Sequence, residues 1–425
     1  MLPKDFRKRS VRERQAVIDS LLGGPSEEAD SKDYLLDLAD VMVESAIGTM
    51  PVPVGVAGGF LINGREYAVP LSVEEPSVVA AATYAGLIIK SAGGFEAWST
   101  DPVMTVQIAV ADPRPGAREA LITGRWRIAE SMAPSLERMR ARGGGFRDLR
   151  VIELPESGLV VVEVDIDTRD AMGANIVNTA GEAARGIVEE LSGGTVLMAI
   201  LTNASPKRRN GARFRIPVGG LGRGGRDGVT MARRVVAANR FATENFNRAV
   251  THNKGIMNGV ASLVLATGND TRAVEAAAHA WAARSGSYCA LTKYRIDDRE
   301  EDGAESPETP GSRGPFLVGE LELPMALGTV GGAASIHPTA RRALDILSLG
   351  LGRRISAGEL GQVAVAVGLA QNLAALLALV GEGIQGGHMR LHARRLAFEA
   401  GARGSDIEAV ARKMADVGIY NLETA

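Results

Sequence analysis

The chain has 425 residues, 45% of them hydrophobic and 23% charged, with a formal net charge of −2. Such a chain forms two or three globular domains with real cores. It carries no general field for nucleic acid or an anionic membrane, and its 4% aromatic content is poor for stacking on bases. One cysteine, Cys289, excludes an intramolecular disulfide framework and a cysteine-based metal cluster, and fits a reducing cytoplasm.

The N-terminal stretch MLPKDFRKRSVRERQAVIDSLLGG is charged and amphipathic, with no apolar signal core. GFLINGREYAVPLSV reads as a hairpin turning at Asn63-Gly64, and VEEPSVVAAATYAGLIIKSAGGF as a helix ended by Gly93-Gly94. Between residues 103 and 202 the order is strand, helix, two strands joined at PESG, helix, strand. That β-α-β-β-α-β order predicts a ferredoxin-like split βαβ unit, whereas a doubly wound sheet would need simple alternation. A glycine-rich loop, PVGGLGRGGRDG, and a basic helical stretch lead to HNKGIMNGVASLVLATGND. Here Lys254 is expected in a loop of small residues, followed by a core strand, a glycine turn and a helix capped by Asp270. Residues 297–314 have the composition of a mobile surface loop. VAVAVGLAQNLAALLALV is nearly long enough to span a bilayer, but Gln371 and Asn372 at its centre predict a buried helix.

Several of these stretches could carry chemistry, and each has a plainer reading. Glu74 and Glu75 stand where the helix macrodipole favours acids, and Asp270 where a cap belongs. Lys254 reads either as a solvated loop residue or as a partly desolvated cation able to polarise a carbonyl oxygen. DAMGAN (170–175) opens a helix at a glycine, offering N–H groups to a phosphate, though it is not G-x-G-x-x-G. Of the five histidines, His388 alone follows a double glycine. Cys289 has no histidine close in sequence and reads as a structural thiol.

Taken together, FLINGREYAVPLSVEEPSVVAAA, DAMGANIVNT, HNKGIMNGVASLVLATGNDTRAVEAAAHAWAARSG, ELPMALGTVGGAASIHP and GLAQNLAALLALVGEGIQGGHMRLHAR resemble hydroxymethylglutaryl-coenzyme A reductase of class II. The resemblance implies an α+β fold with three parts. They are a large mixed domain binding the thioester (1–101 and 207–382), an inserted ferredoxin-like dinucleotide domain (102–206) and a small helical flap (383–425). It implies a homodimer with active sites at the subunit interface, leaves higher assembly open, and involves neither metal nor nucleic acid nor membrane. The implied reaction reduces hydroxymethylglutaryl-CoA to mevalonate and CoA with two NADH or NADPH.

The implied catalytic set is Glu75, Lys254, Asp270 and His388, with a hinge at Gly386-Gly387 delivering the histidine. Lys254 and Asp270 are expected to share one buried hydrogen-bonded network with Glu75. Ser77, Arg248 and Asn258 match contacts to the hydroxymethylglutaryl group. Asp170, Met172, Gly173, Asn175 and Asn203 match the dinucleotide site. Where relatives using NADH place an acid for the adenine ribose, the nearest here is Glu137, flanked by Arg138 and Arg140, which leaves NADH against NADPH open. A thiolase-like or acyl-CoA transferase reading needs a nucleophile that Cys289 supports poorly. A non-catalytic interaction protein leaves the four matching catalytic positions unexplained.

Overall fold

A computed structural model describes residues 2–25, 32–298, 314–381, 393–404, 406–422 and 424. Most of the predicted 297–314 loop, the Gly386-Gly387 pair and His388 lie outside the described residues.

Ten described strands form two sheets. The larger contains β1 (Val54–Ile62), β2 (Arg65–Ser72), β3 (Phe95–Ser99), β8 (Arg209–Pro217), β9 (Thr292–Asp297) and β10 (Phe316–Pro324), in the order β2-β1-β3-β8-β10-β9. Only the β1–β3 pairing is parallel. The β1–β2 hairpin turns at Asn63 (φ 49°) and Gly64 (φ 76°), the two left-handed positions a tight hairpin turn requires. Asn63 then uses its amide twice on Ala97, accepting from its N–H and donating to its C=O, both at 2.9 Å. The hairpin tip is thereby fastened to β3.

The smaller sheet contains β4 (Val103–Ala111), β5 (Gly145–Leu154), β6 (Leu159–Asp167) and β7 (Thr195–Leu201). Its order is β5-β6-β4-β7 and every pairing is antiparallel, the arrangement of a split βαβ unit. Helices Ala117–Thr123, Arg125–Met132, Ala174–Ala183 and Arg185–Ser192 share a core with it, built on Met104, Ile108, Leu121, Ile128, Val164 and Val177. The chain leaves the large sheet at the end of β3 and returns at the start of β8. These two strands are hydrogen-bonded neighbours, so the small unit hangs from one place. The described C-terminal residues have a small core of their own, around Ala393, Leu396, Ala411 and Met414.

The stretch from Phe246 to Ala266 is one helix, not a loop followed by a strand. Asn245 caps it, accepting from the Arg248 N–H at 3.0 Å, and its buried residues recur at helical spacing from Ala249 to Ala266. The apolar run GVASLVLA is short and poor in β-branched residues, so it is ambiguous by itself. Only its continuity with the capped segment before it decides for helix.

Helix Ala357–Val380 is long and apolar enough to cross a membrane, yet 78% of its most apolar window is buried inside the protein. It packs between helices Val78–Ser91 and Phe246–Ala266, and lies against β3, β8 and β10. Its central polar residue has partners: Asn372 Oδ1 accepts from the Tyr294 hydroxyl at 3.0 Å and from Thr292 at 3.3 Å, and its amide donates to His252 Nε2 at 3.2 Å. Thr292 in turn meets His252 Nε2 at 2.6 Å, and Asn239 donates to Thr292. A buried amide in an apolar helix is costly unless its bonds are made, and here they define how three helices and β9 meet.

Burial, reinforced by the cation of Arg248, lowers the His252 pKa from 6.5 to about 4. Between those values the unfolded chain takes a proton that the folded ring refuses. This contribution to stability is therefore complete above pH 6.5 and lost as pH falls towards 4. Urea unfolding across that window should show an acid slope of up to about 1.4 kcal/mol per pH unit from this group, absent in His252→Asn.

Candidate active site

Glu75 lies in the turn after β2, immediately before helix Val78–Ser91. Its carboxylate accepts from Lys254 Nζ at 2.8 Å and from Asn258 Nδ2 at 3.5 Å. Lys254 and Asn258 are four residues apart on the 246–266 helix, so both project from one face onto the same carboxylate. Ser77 caps the following helix in a left-handed conformation (φ 77°), and its hydroxyl makes no capping bond. A non-glycine residue held there stores strain, and such strain gathers at ligand sites. Arg248 is half-buried near the start of the same helix as Lys254.

The ammonium is not buried in the single chain. The Lys254 side chain is 61% exposed and that of Glu75 is 37% exposed, so their ion pair contributes little stability and stays open to a ligand or a second chain. Asp270 does not join it. It caps helix Thr271–Ala282, accepting from the Arg272 and Ala273 N–H groups at 3.0 and 3.1 Å, with the Arg272 guanidinium 3.4 Å away. Within the single chain the expected three-way contact does not form, for a geometric reason. From Lys254 to Ala266 the helix rises about 18 Å, beyond the combined reach of a lysine and an aspartate side chain.

A cleft of about 2230 Å³ reaches Glu75 and Ser77. Its wall includes Lys4, Arg7, Lys8, Arg9, Arg12 and Arg14 against few acids. These cations were visible in PKDFRKRSVRER as a charge cluster, but nothing in their spacing says that they face the same cleft as Glu75. They suit a ligand carrying several phosphates.

Asp170, Met172, Gly173 and Asn175, four of the predicted dinucleotide residues, lie at the start of helix Ala174–Ala183. Gly173 caps helix Ala174–Ala183 at φ 96°, and a Cβ there would stand 2.4 Å from Thr168 Cγ2. No side chain occupies the helix start, so its N–H groups are free to receive an anion. Met172 is half-buried against the small core, while Asn175, Asn203 and Glu137 are exposed, as are Arg138 and Arg140. Asp170 departs from a simple ligand role: its carboxylate accepts from the Ala357 N–H at 2.8 Å, at the start of the long core helix. Cys289 donates to the Ala282 carbonyl, as a structural thiol does. Among the described residues no group of histidine, cysteine, aspartate or glutamate could hold a metal ion.

The sequence model described as hydroxymethylglutaryl-coenzyme A reductase matches residues 10–393. The chain belongs to that family. A 3-hydroxy-3-methylglutaryl-coenzyme A reductase of Archaeoglobus fulgidus is 40% identical over 99% of this chain and 92% of its own length. A probable reductase of Borreliella burgdorferi is 34% identical, over 93% of this chain and 86% of its own. A reductase structure from Streptococcus pneumoniae superposes with a TM-score of 0.81 at 38% identity, covering 100% of this chain and 98% of its own. A class II structure from the same organism, bound to NADPH in open conformations, has a TM-score of 0.79 at 38% identity and 98% coverage of both chains. The protein is thus a class II reductase of this family, an NAD(P)H-dependent oxidoreductase.

The two roles open to Asp270 in this reductase separate by substitution. Asparagine caps a helix as well as aspartate, so Asp270→Asn should keep the unfolding midpoint, whereas Asp270→Ala should lose about 1 kcal/mol. Both should lose NAD(P)H oxidation, because both lack the negative charge.

Proposed function

We propose that the protein reduces hydroxymethylglutaryl-CoA to mevalonate and free coenzyme A, at sites that two subunits complete together. The observation that carries this reading is Lys254 paired with Glu75, with Asn258 beside them, and a cation-lined cleft that reaches Glu75.

Bound NAD(P)H supplies one hydride in each of two reductions. Lys254 holds the oxyanion formed when the thioester carbonyl carbon receives the first hydride. Collapse of the resulting hemithioacetal breaks the C–S bond, and His388, outside the described residues, protonates the departing thiolate. The aldehyde, mevaldehyde, takes the second hydride, and Glu75 gives its oxygen the proton. Ser77, Arg248 and Asn258 bind the hydroxymethylglutaryl group, the Arg248 guanidinium matching its free carboxylate. The cations at 4–14 hold the phosphates of coenzyme A.

The helix start at Gly173 suits a pyrophosphate, and the exposed Asn175 and Asn203 are assigned to the rest of the dinucleotide. Glu137 with Arg138 and Arg140 would face the adenine ribose. In domain terms, residues 102–206 hold the dinucleotide, 1–101 and 207–382 hold the thioester, and 383–425 close over them as a flap hinged at Gly386-Gly387. The protein acts in the cytoplasm.

The distance along the 246–266 helix supports a dimer. If Asp270 is to tune Lys254, it must be the aspartate of a second subunit. Phe246 and Val250, in the first turns of that helix, are exposed in the single chain, as an interface requires.

The test follows NAD(P)H absorbance with hydroxymethylglutaryl-CoA, expecting two nicotinamides oxidised per thioester. Lys254→Ala should fold and be inactive; undiminished turnover would remove its role. Mixing Lys254→Ala with Asp270→Asn should restore about a quarter of wild-type activity, since half the dimers are mixed and each has one intact site of two. No recovery on subunit exchange would place Lys254 and Asp270 in separate functions.

A further inference from the structure

We propose that Arg208 is a positioning residue: it sets the dinucleotide-binding turn at a defined place relative to the 269–270 turn. This rests on the reading of residues 170–175 as part of the dinucleotide site.

Arg208 lies in the connection between β7 and β8, where the chain returns from the small unit to the large one. It is 4% exposed and makes no ion pair among the described residues. Its guanidinium instead binds two turns at once. On one side Nη1 donates to Thr168 Oγ1 at 2.9 Å, to the Met172 carbonyl at 3.0 Å and to the Ala171 carbonyl at 3.3 Å. On the other, Nη2 donates to the Leu327 carbonyl, and the Arg208 carbonyl accepts from the Met325 N–H at 3.0 Å.

The second turn is itself fastened to both halves of the site. Thr329 N–H donates to the Asp170 carbonyl at 2.9 Å, and Ala171 pairs with Val330 in a parallel bridge. Gly328 exchanges two bonds with the side chain of Asn269, its N–H donating at 2.7 Å and its carbonyl accepting at 3.1 Å. Asn269 directly precedes Asp270. A Cβ on Gly328 would stand 2.4 Å from the Met172 nitrogen, so the two turns touch backbone to backbone. Direct contacts thus run from Asn269 through Gly328 to Met172, and Arg208 clamps the far side.

A buried cation surrounded by carbonyls is an expensive way to join two lobes, and an apolar plug would do it with less desolvation. What a planar fork adds is direction, because it fixes several acceptors in one plane. Hydride transfer needs that direction: a displacement of about 1 Å at the donor can cost about 100-fold in rate. Asp270 and the dinucleotide turn of one subunit therefore behave as a single rigid body, to which the partner's Lys254 and Glu75 are presented.

The test compares wild type with Arg208→Lys, which keeps a charge but not the fork, and Gly328→Ala, which wedges the turns apart and removes no charge. NADPH binding is read by its own fluorescence, without turnover; steady-state rates are measured with ordinary NADPH and with NADPH deuterated at the transferred position. Both variants should bind NADPH about tenfold more weakly and lose about 100-fold in kcat. Their isotope effect should exceed that of wild type, with the KM for the thioester unchanged. A folded variant with a lowered unfolding midpoint but wild-type NADPH affinity and isotope effect would make Arg208 a structural staple and overturn the proposal. Should Arg208→Lys not fold, Gly328→Ala decides alone. If wild type neither binds nor oxidises NADPH, the dinucleotide reading itself fails, a result distinct from the other.

Discussion

The candidate active site is organised by one short contact, the Lys254 ammonium against the Glu75 carboxylate, and by the helix that carries it. A helix is a ruler as well as a support. Four residues of it place Lys254 and Asn258 on one carboxylate, and eight residues more bring the rise from Lys254 to about 18 Å before the chain turns to Asp270. Within one subunit the cation and the second acid are kept apart by hydrogen-bonded backbone that cannot shorten. The exposure of Lys254 follows from the same geometry: its ion pair is weak alone and available to be completed.

That helix is held by a core that is not uniformly apolar. The helix Ala357–Val380 could slide or rotate against its neighbours if only alanine, valine and leucine met there. Asn372, bonded to Tyr294, Thr292 and His252, permits one register. His252 lies two residues before Lys254, so the network that satisfies a buried amide also fixes the azimuth of the face that carries Lys254 and Asn258. Glycines do comparable work at the second half of the site. Gly173 keeps a helix start open, and Gly328 lets two turns meet at backbone distance.

The small unit is attached through neighbouring strands β3 and β8 and is gripped at the turn 325–330. Asp170 illustrates how one residue serves two demands. Its carboxylate is spent on the first turn of the core helix, while its carbonyl receives Thr329. A dinucleotide at Gly173 would therefore rest on a turn already anchored to the larger unit.

Much of this was legible in the chain itself. Asn-Gly at 63–64 announces its hairpin because few residues tolerate two successive left-handed positions. Asp270 announces its cap, and the β-α-β-β-α-β order between 103 and 202, with its two strands joined directly, announces the four-stranded sheet. These are local rules, set by sterics and by unsatisfied N–H groups, so adjacent residues suffice to read them. The run at 259–266 shows where local rules stop: GVASLVLA satisfies a strand or a helix equally, and its continuity with the capped segment before it decided. Only tertiary structure brought Glu75 to Lys254 across 179 positions, turned the N-terminal arginines towards the same cleft, and put Arg208 between two distant turns. No spacing encodes such meetings, because they are decided by which surfaces exclude water together, a property of the whole packed chain.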